Sequence, residues 1–179
     1  SLLKRTPKID TIQFRWPEVA LTNKRGKIIT GKNAGVEHVN FNCEALITIG
    51  DSLYLFTKEW KEKRCTRVFS LPKLPGIHIA RFKSTFPTKV LVTGATFNIQ
   101  KNLLVLCGYN LWLRPFLLMF PDVEGTEFFK GSFIKRKVGL PFRQVEGVGS
   151  TDGTRFLLIN EDFRFLFLHT QPGLHLLKI

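Results

Sequence analysis

Sulfur is scarce in this sequence, with one methionine and three cysteines among 179 residues. Cys43, Cys65 and Cys107 are odd in number, widely spaced and free of any C-x-x-C pair, so neither a zinc site nor a disulfide framework is expected. Buried thiols packed as small apolar groups are the simpler expectation, with one pairing open to them in an oxidising compartment. Acid is short as well: 14 Asp and Glu face 27 Lys and Arg, a net charge of +13. Long apolar runs are missing. The longest, Leu111 to Phe120, is broken by Arg114 and Pro115 and falls far below the ~18 residues of a membrane span. No stretch sustains helical periodicity. Catalytic signatures are absent too, since no G-x-S-x-G, H-E-x-x-H, P-loop or G-x-G-x-x-G follows a strand pattern, and His38, His78, His169 and His175 are scattered. Whether the chain is an enzyme stays open. Ser1 to Lys4 contain neither an initiator Met nor a signal-type segment, so a fragment or processed product is expected.

What is present is strand chemistry. Seventeen Phe and many Leu, Val and Ile fall in runs of a few residues bounded by turn residues. In residues 42–57, Ala45 to Ile49 form one apolar run, Gly50-Asp51-Ser52 a turn, and Leu53 to Phe56 a second run. The layout returns at Val90 to Thr96 with Leu103 to Leu106, and at Val145 to Val148 with Phe156 to Ile159, where Asp152-Gly153 is a strong hairpin signal. Offsets of 50 and 102 residues align the copies, placing Glu44, Gly94 and Glu146 in register. Each unit predicts four strands: near 44–49, 53–58, 66–71 and 77–83; then 90–96, 103–106, 116–120 and 133–138, with Phe128 and Phe129 free to pack between units; then 145–148, 156–159, 163–169 and 174–179.

Four-stranded units of ~50 residues have the period of radial repeat folds. An all-β, propeller-like chain of three blades is therefore expected, at 42–87, 88–142 and 143–179. Residues 1–41 would be the end of a preceding blade and a connection, with an edge strand at 9–15 and a short strand at 27–30. Propellers close with four to eight blades, so a parent of about six, with N-terminal blades missing here, fits the pattern.

In the motifs NCEALITIGDSLYLFTKEW, LPKLPG, LVTGA, LCGY, RPFLLMF, FFKG, QVEGVG and LLINEDF, the chain resembles a group of uncharacterised exported β-propeller proteins of Bacteroidetes, and more distantly the phytase-like and gluconolactonase-like propellers. The resemblance implies an extracytoplasmic propeller, in the periplasm or at the cell surface, often lipoprotein-like. It implies no established reaction.

Two residue groups are candidates for function. Glu44 and Glu146, at the openings of inner strands, could converge on a channel with Asn160 and Glu161, and with Asn42 as a further oxygen donor. Such an oxygen set suits calcium, and a calcium-assisted hydrolase of lactonase or phosphoesterase type would follow. Equally, each Glu could accept backbone hydrogen bonds and stitch neighbouring units together. The second group is Trp60 and Trp112 beside Lys58, Lys61, Arg64 and Arg114, aromatics next to cations that suit a flat, anionic or glycan ligand, or else pack blade edges. The primary expectation is a scaffold or binding module of unknown ligand. Clusters at Lys24, Arg25, Lys27 and Lys32, at Lys58, Lys61, Lys63, Arg64 and Arg67, and at 135–137 read as solvated loops. Binding of nucleic acid or acidic polymers rests on charge alone, because no RRM, KH or recognition-helix signature is present.

Overall fold

A computed structural model of the chain describes residues 9–17, 21–22, 28–29, 42–60, 65–165 and 167–179. Among these the secondary structure is all β, with no helix. Strands β1 (Ile12–Arg15), β2 (Leu21–Thr22) and β3 (Ile28–Ile29) precede three larger sheets, and β2 pairs antiparallel with β3.

The first sheet is built from β4 (Cys43–Ile49), β5 (Ser52–Thr57), β6 (Thr66–Pro72) and β8 (Arg81–Phe86), in that spatial order. Between β6 and β8 a short strand, β7 (Gly76–Ile79), leaves the sheet and pairs in parallel with β1. The expected fourth strand at 77–83 is thus two strands, and only β8 completes the sheet. The expected edge strand at 9–15 finds its partner in β7, inside the first unit, rather than in a preceding one.

The second sheet is an uninterrupted meander of β9 (Leu91–Asn98), β10 (Leu103–Tyr109), β11 (Pro115–Phe120) and β12 (Ile134–Lys137). All of β10 is buried, because apolar layers cover both of its faces. That is why Leu103-Leu104-Val105-Leu106-Cys107 reads as a continuous apolar run rather than an alternating one.

The third sheet has three strands, β13 (Val145–Gly149), β14 (Arg155–Asn160) and β17 (Gly173–Lys178). The stretch 163–169 is not a strand of this sheet. It contributes a separate small hairpin, β15 (Phe163–Phe165) with β16 (Leu168–Thr170), and β17 pairs directly with β14.

Turn chemistry places the hairpins. Ile49 lies opposite Ser52, so Gly50 and Asp51 form a two-residue loop in which Gly50 has φ +54°. The loop between β9 and β10 is four residues, 99–102, and the Asn98 side chain accepts a hydrogen bond from the Lys101 amide at 2.9 Å. Between β13 and β14 the Asp152 carboxylate accepts from the Thr154 and Arg155 amides and from the Arg155 guanidinium, which together hold it well below the usual carboxylate range.

The sheets pack face against face in a repeating way. Ala45, Ile47, Tyr54, Phe56 and Val68 on the forward face of the first sheet meet Val92, Leu104, Leu106, Leu118 and Phe120 on the rear face of the second. The forward face of the second sheet, Leu103, Val105, Cys107, Leu117 and Met119, meets Val145, Phe156 and Leu158 on the rear of the third. The rear face of the first sheet, Leu55, Phe69 and Leu71, is covered by Trp16 and Ala80, and the Trp16 and Phe69 rings are 4.9 Å apart. Phe86, Phe120, Phe128, Phe129 and Phe133 form a ring cluster where the first and second sheets meet, and Phe128 reaches Tyr54 at 5.1 Å. Each such buried ring or Leu contributes about 1.5–3 kcal/mol. The many Phe residues thus act between sheets.

Candidate functional site

The first hairpin of each of the three sheets contains one irregularity, and it falls at the same place in all three. Pairing of β4 with β5 passes from Ala45 opposite Phe56 to Cys43 opposite Thr57, so Glu44 is skipped. Pairing of β9 with β10 passes from Gly94 opposite Cys107 to Val92 opposite Gly108, skipping Thr93. Between β13 and β14 it passes from Gly147 opposite Ile159 to Val145 opposite Asn160, skipping Glu146. A bulge leaves its extra residue out of the ladder and re-aims that side chain. Here Glu44, Thr93 and Glu146 all line a single cavity of about 480 Å³. The residue just past the bulge on the second strand of each hairpin lines it too: Lys58, Tyr109 and Glu161. Trp60 and Gln144 also line it.

Close backbone approach holds these ends together. A side chain at Gly94 would place its Cβ 3.0 Å from Gly147 Cα and 3.1 Å from the Glu146 carbonyl oxygen. The glycine lets β13 lie against β9. The Thr93 hydroxyl donates to the Val145 carbonyl, tying the second bulge to the third. Register therefore places Thr93, rather than Gly94, at the position of Glu44 and Glu146.

The electrostatics centre on Lys58. Its ammonium donates to Glu44 Oε2 at 2.7 Å and to the Tyr109 hydroxyl at 3.1 Å, and lies 5.0 Å from the Trp60 ring centroid. The Lys58 side chain is 6 % exposed and that of Glu44 28 %. Asn42 donates to the other Glu44 oxygen at 2.9 Å. Lys58 is thus a buried partner of a carboxylate rather than a solvated loop cation, and Arg67, buried against Glu59, departs from that expectation in the same way. Burial lifts Glu146 to about 7; Lys58 opposes the shift, while the charges of Glu44 and Glu161 reinforce it. Tyr109 is raised further above its ordinary value by burial and by the Glu146 and Glu44 charges. Among the described residues, three carboxyl groups and one ammonium line this hollow, an acidic set within a chain of net charge +13. A carboxyl group titrating near neutrality beside a phenol can also hold or release a proton at physiological pH.

Of the expected oxygen donors, Glu44, Glu146 and Glu161 come together. Asn160 does not join them. Its buried amide donates to the carbonyls of Glu161 and Gln171, each at 2.9 Å, and its oxygen accepts from Arg143 at 3.3 Å and meets His175 Nε2 at 2.8 Å. It stitches the third unit instead. Among the described residues no group of three or more His, Cys, Asp or Glu side chains is arranged to hold a metal ion.

The second group is divided. Trp60 lines the acidic cavity and is about half exposed, whereas Arg114 borders a smaller hollow of about 250 Å³ with Pro115, Lys137 and Phe142. Trp112 is exposed in the turn before β11. Lys61 and Arg64 lie outside the described residues, as do Lys24, Arg25, Lys27, Lys32 and Lys63. The basic run at 135–137 lies in the exposed edge strand β12 rather than in a loop, and Lys135 also donates to the Thr88 carbonyl at 2.9 Å. No disulfide joins the three cysteines, and burial raises the Cys107 thiol to about 12.

No family model, curated protein or solved structure matches the chain.

Sequence reasoning missed Thr93, Tyr109 and Gln144, and had Lys58 only as a cation beside Trp60. One signal could have found Thr93 and Tyr109. Ala45, Gly94 and Gly147 are small residues one place beyond each bulge. Aligning on those, instead of on a constant offset, brings Glu44, Thr93 and Glu146 into register, and the end of each second strand then supplies Lys58, Tyr109 and Glu161.

Proposed function

We propose that the chain is a β-propeller-type binding module whose three sheets are successive blades. The cavity at the bulged ends of the inner hairpins takes the ligand. The observation that carries this is the threefold bulge: three units each contribute one bulged residue and one strand-end residue to the same hollow. The repeated forward-to-rear packing supports the blade reading. The ligand is a small molecule rich in hydroxyl groups and bearing a positive charge. Glu44, Glu146 and Glu161 supply acceptors for its donors, and the half-exposed Trp60 ring supplies a flat apolar wall. The Lys58 ammonium already sits on Glu44 at 2.7 Å, which favours an organic ligand over a bare calcium ion held by that carboxylate.

Glucosamine and calcium chloride are suitable probes in thermal melts, because binding to the folded state alone raises apparent stability, by about 2.7 kcal/mol at a hundred times Kd. Glucosamine is expected to raise Tm, and Glu146→Gln and Trp60→Ala to abolish the rise. A melt unchanged by glucosamine, or one raised only by calcium, refutes the organic-ligand reading.

A further inference from the structure

Faces of the sheets, taken in order, leave one unaccounted for. Through the pairing registers, Val105, Cys107, Leu117 and Met119 on the forward face of the second sheet correspond to Leu157, Ile159, Leu174 and Leu176 on the third. The first four are 0, 0, 0 and 7 % exposed, because the third sheet covers them. Their counterparts are 49, 52, 68 and 58 % exposed. Leu157 lies opposite Leu176 and Ile159 opposite Leu174, so the four form one contiguous apolar patch. A patch of this kind marks a contact surface rather than an ordinary solvated face.

Three observations say what covers it. The two interfaces already formed each join a forward face to the rear face of the following sheet, and the open patch is a forward face of the same kind. Gly147 occupies in the third sheet the place of Gly94 in the second, where the missing side chain admits the next inner strand. In a second copy the matching rear face, that of the first sheet, is already occupied at Leu55, Phe69 and Leu71 by Trp16 and Ala80, and offers only the half-exposed Leu46 and Phe82 to a head-to-tail contact.

We infer that Leu157, Ile159, Leu174 and Leu176 are the docking surface for the apolar rear face of a further strand unit of the same polypeptide. The inference rests on the blade reading proposed above and adds which surface receives the next unit. That unit's inner strand would pass beside Gly147, as β13 passes beside Gly94, and would bring another bulged residue toward the cavity.

Hydroxyl-radical footprinting read by mass spectrometry tests this without any substitution. It compares the 179-residue chain with the product of the complete reading frame. In the 179-residue chain the four side chains are expected to oxidise readily. In the complete product their oxidation should be lost, down to the level of Val105 and Leu117, while Trp112 stays reactive as an internal control. Unchanged oxidation in the complete product overturns the inference, and so does a reading frame that encodes no further strand unit. Protection that appears in the 179-residue chain with rising concentration also overturns it, because a second copy is then the occupant. The glucosamine melt reads the cavity alone, so ligand binding with an open patch refutes only the docking surface, and a protected patch without ligand binding refutes only the proposed ligand.

Discussion

Replacing Gly94 by alanine tests the contact on which the cavity depends. In an open strand a Gly→Ala change stabilises, by about 0.5–1 kcal/mol, because glycine loses more backbone entropy on folding. At Gly94 the new Cβ would stand 2.8 Å from Cys107 Sγ, 3.0 Å from Gly147 Cα and 3.1 Å from the Glu146 carbonyl oxygen. The thiol can turn aside, but the other two are backbone atoms of β13, so the strand itself has to move. Overpacking costs about 1–3 kcal/mol, and a clash with backbone falls in the upper part of that range, at about 2–3 kcal/mol, which leaves a net loss of about 1–2.5 kcal/mol after the entropic gain. For a domain of this size that lowers Tm by about 2–10 °C. Urea unfolding followed by tryptophan fluorescence measures it as a lower midpoint with an unchanged slope. Gly149→Ala is the matched control, since nothing lies within 4 Å of its added Cβ, and it is expected to leave the midpoint unchanged or raised. If Gly94→Ala is as stable as the parent chain, or more so, the inner strands do not meet as described, and the cavity built on that contact fails with them.

Two further outcomes follow from the same geometry. Gly108→Ala would place a Cβ 2.0 Å from the Leu91 carbonyl oxygen and 2.9 Å from its carbon, so a loss of about 3 kcal/mol or more is expected, read as a collapsed urea midpoint or no soluble protein; a near-neutral effect would contradict the pairing of β9 with β10. The Glu146 carboxyl is lifted from 4.5 to about 7 in the folded chain, so the folded state holds a proton that the unfolded state releases between those values. Its contribution to stability is present below about pH 4.5 and is lost as pH rises through about 7. Urea midpoints of the parent chain should therefore fall across that window relative to those of Glu146→Gln, and parallel curves would show that the carboxyl is not held as described.

Local chemistry made much of this fold legible. The Gly50-Asp51 and Asp152-Gly153 turns, the short apolar runs and the absence of helical periodicity were enough to place the three inner hairpins, because a hairpin is specified by residues within about a dozen positions of one another. The failures began where distant parts of the chain compete. Phe163 to His169 looked like another strand of the third sheet, yet β17 takes the edge of β14 and leaves that stretch to fold on itself. The segment at 77–83 is divided because β1, more than sixty residues upstream, offers β7 a parallel partner.

The candidate site separates along the same line. Residue type and strand position alone singled out Glu44, Glu146 and Glu161. The constant offset put Gly94 beside them because it assumed equal loops, whereas the first hairpin turns in two residues and the second in four, and a one-residue slip moves a side chain to the opposite face. Lys58 was unreadable as a buried partner, since its carboxylate, Glu44, lies in its own hairpin but the Tyr109 hydroxyl that helps to enclose the ammonium comes from the second sheet. The all-β class, the repeated hairpins and the acidic residues at the ends of the first and third of them are local properties, readable from neighbouring residues. That three bulges converge on one cavity, and that the forward face of the third sheet is left open, are set by tertiary packing, because both depend on which faces meet.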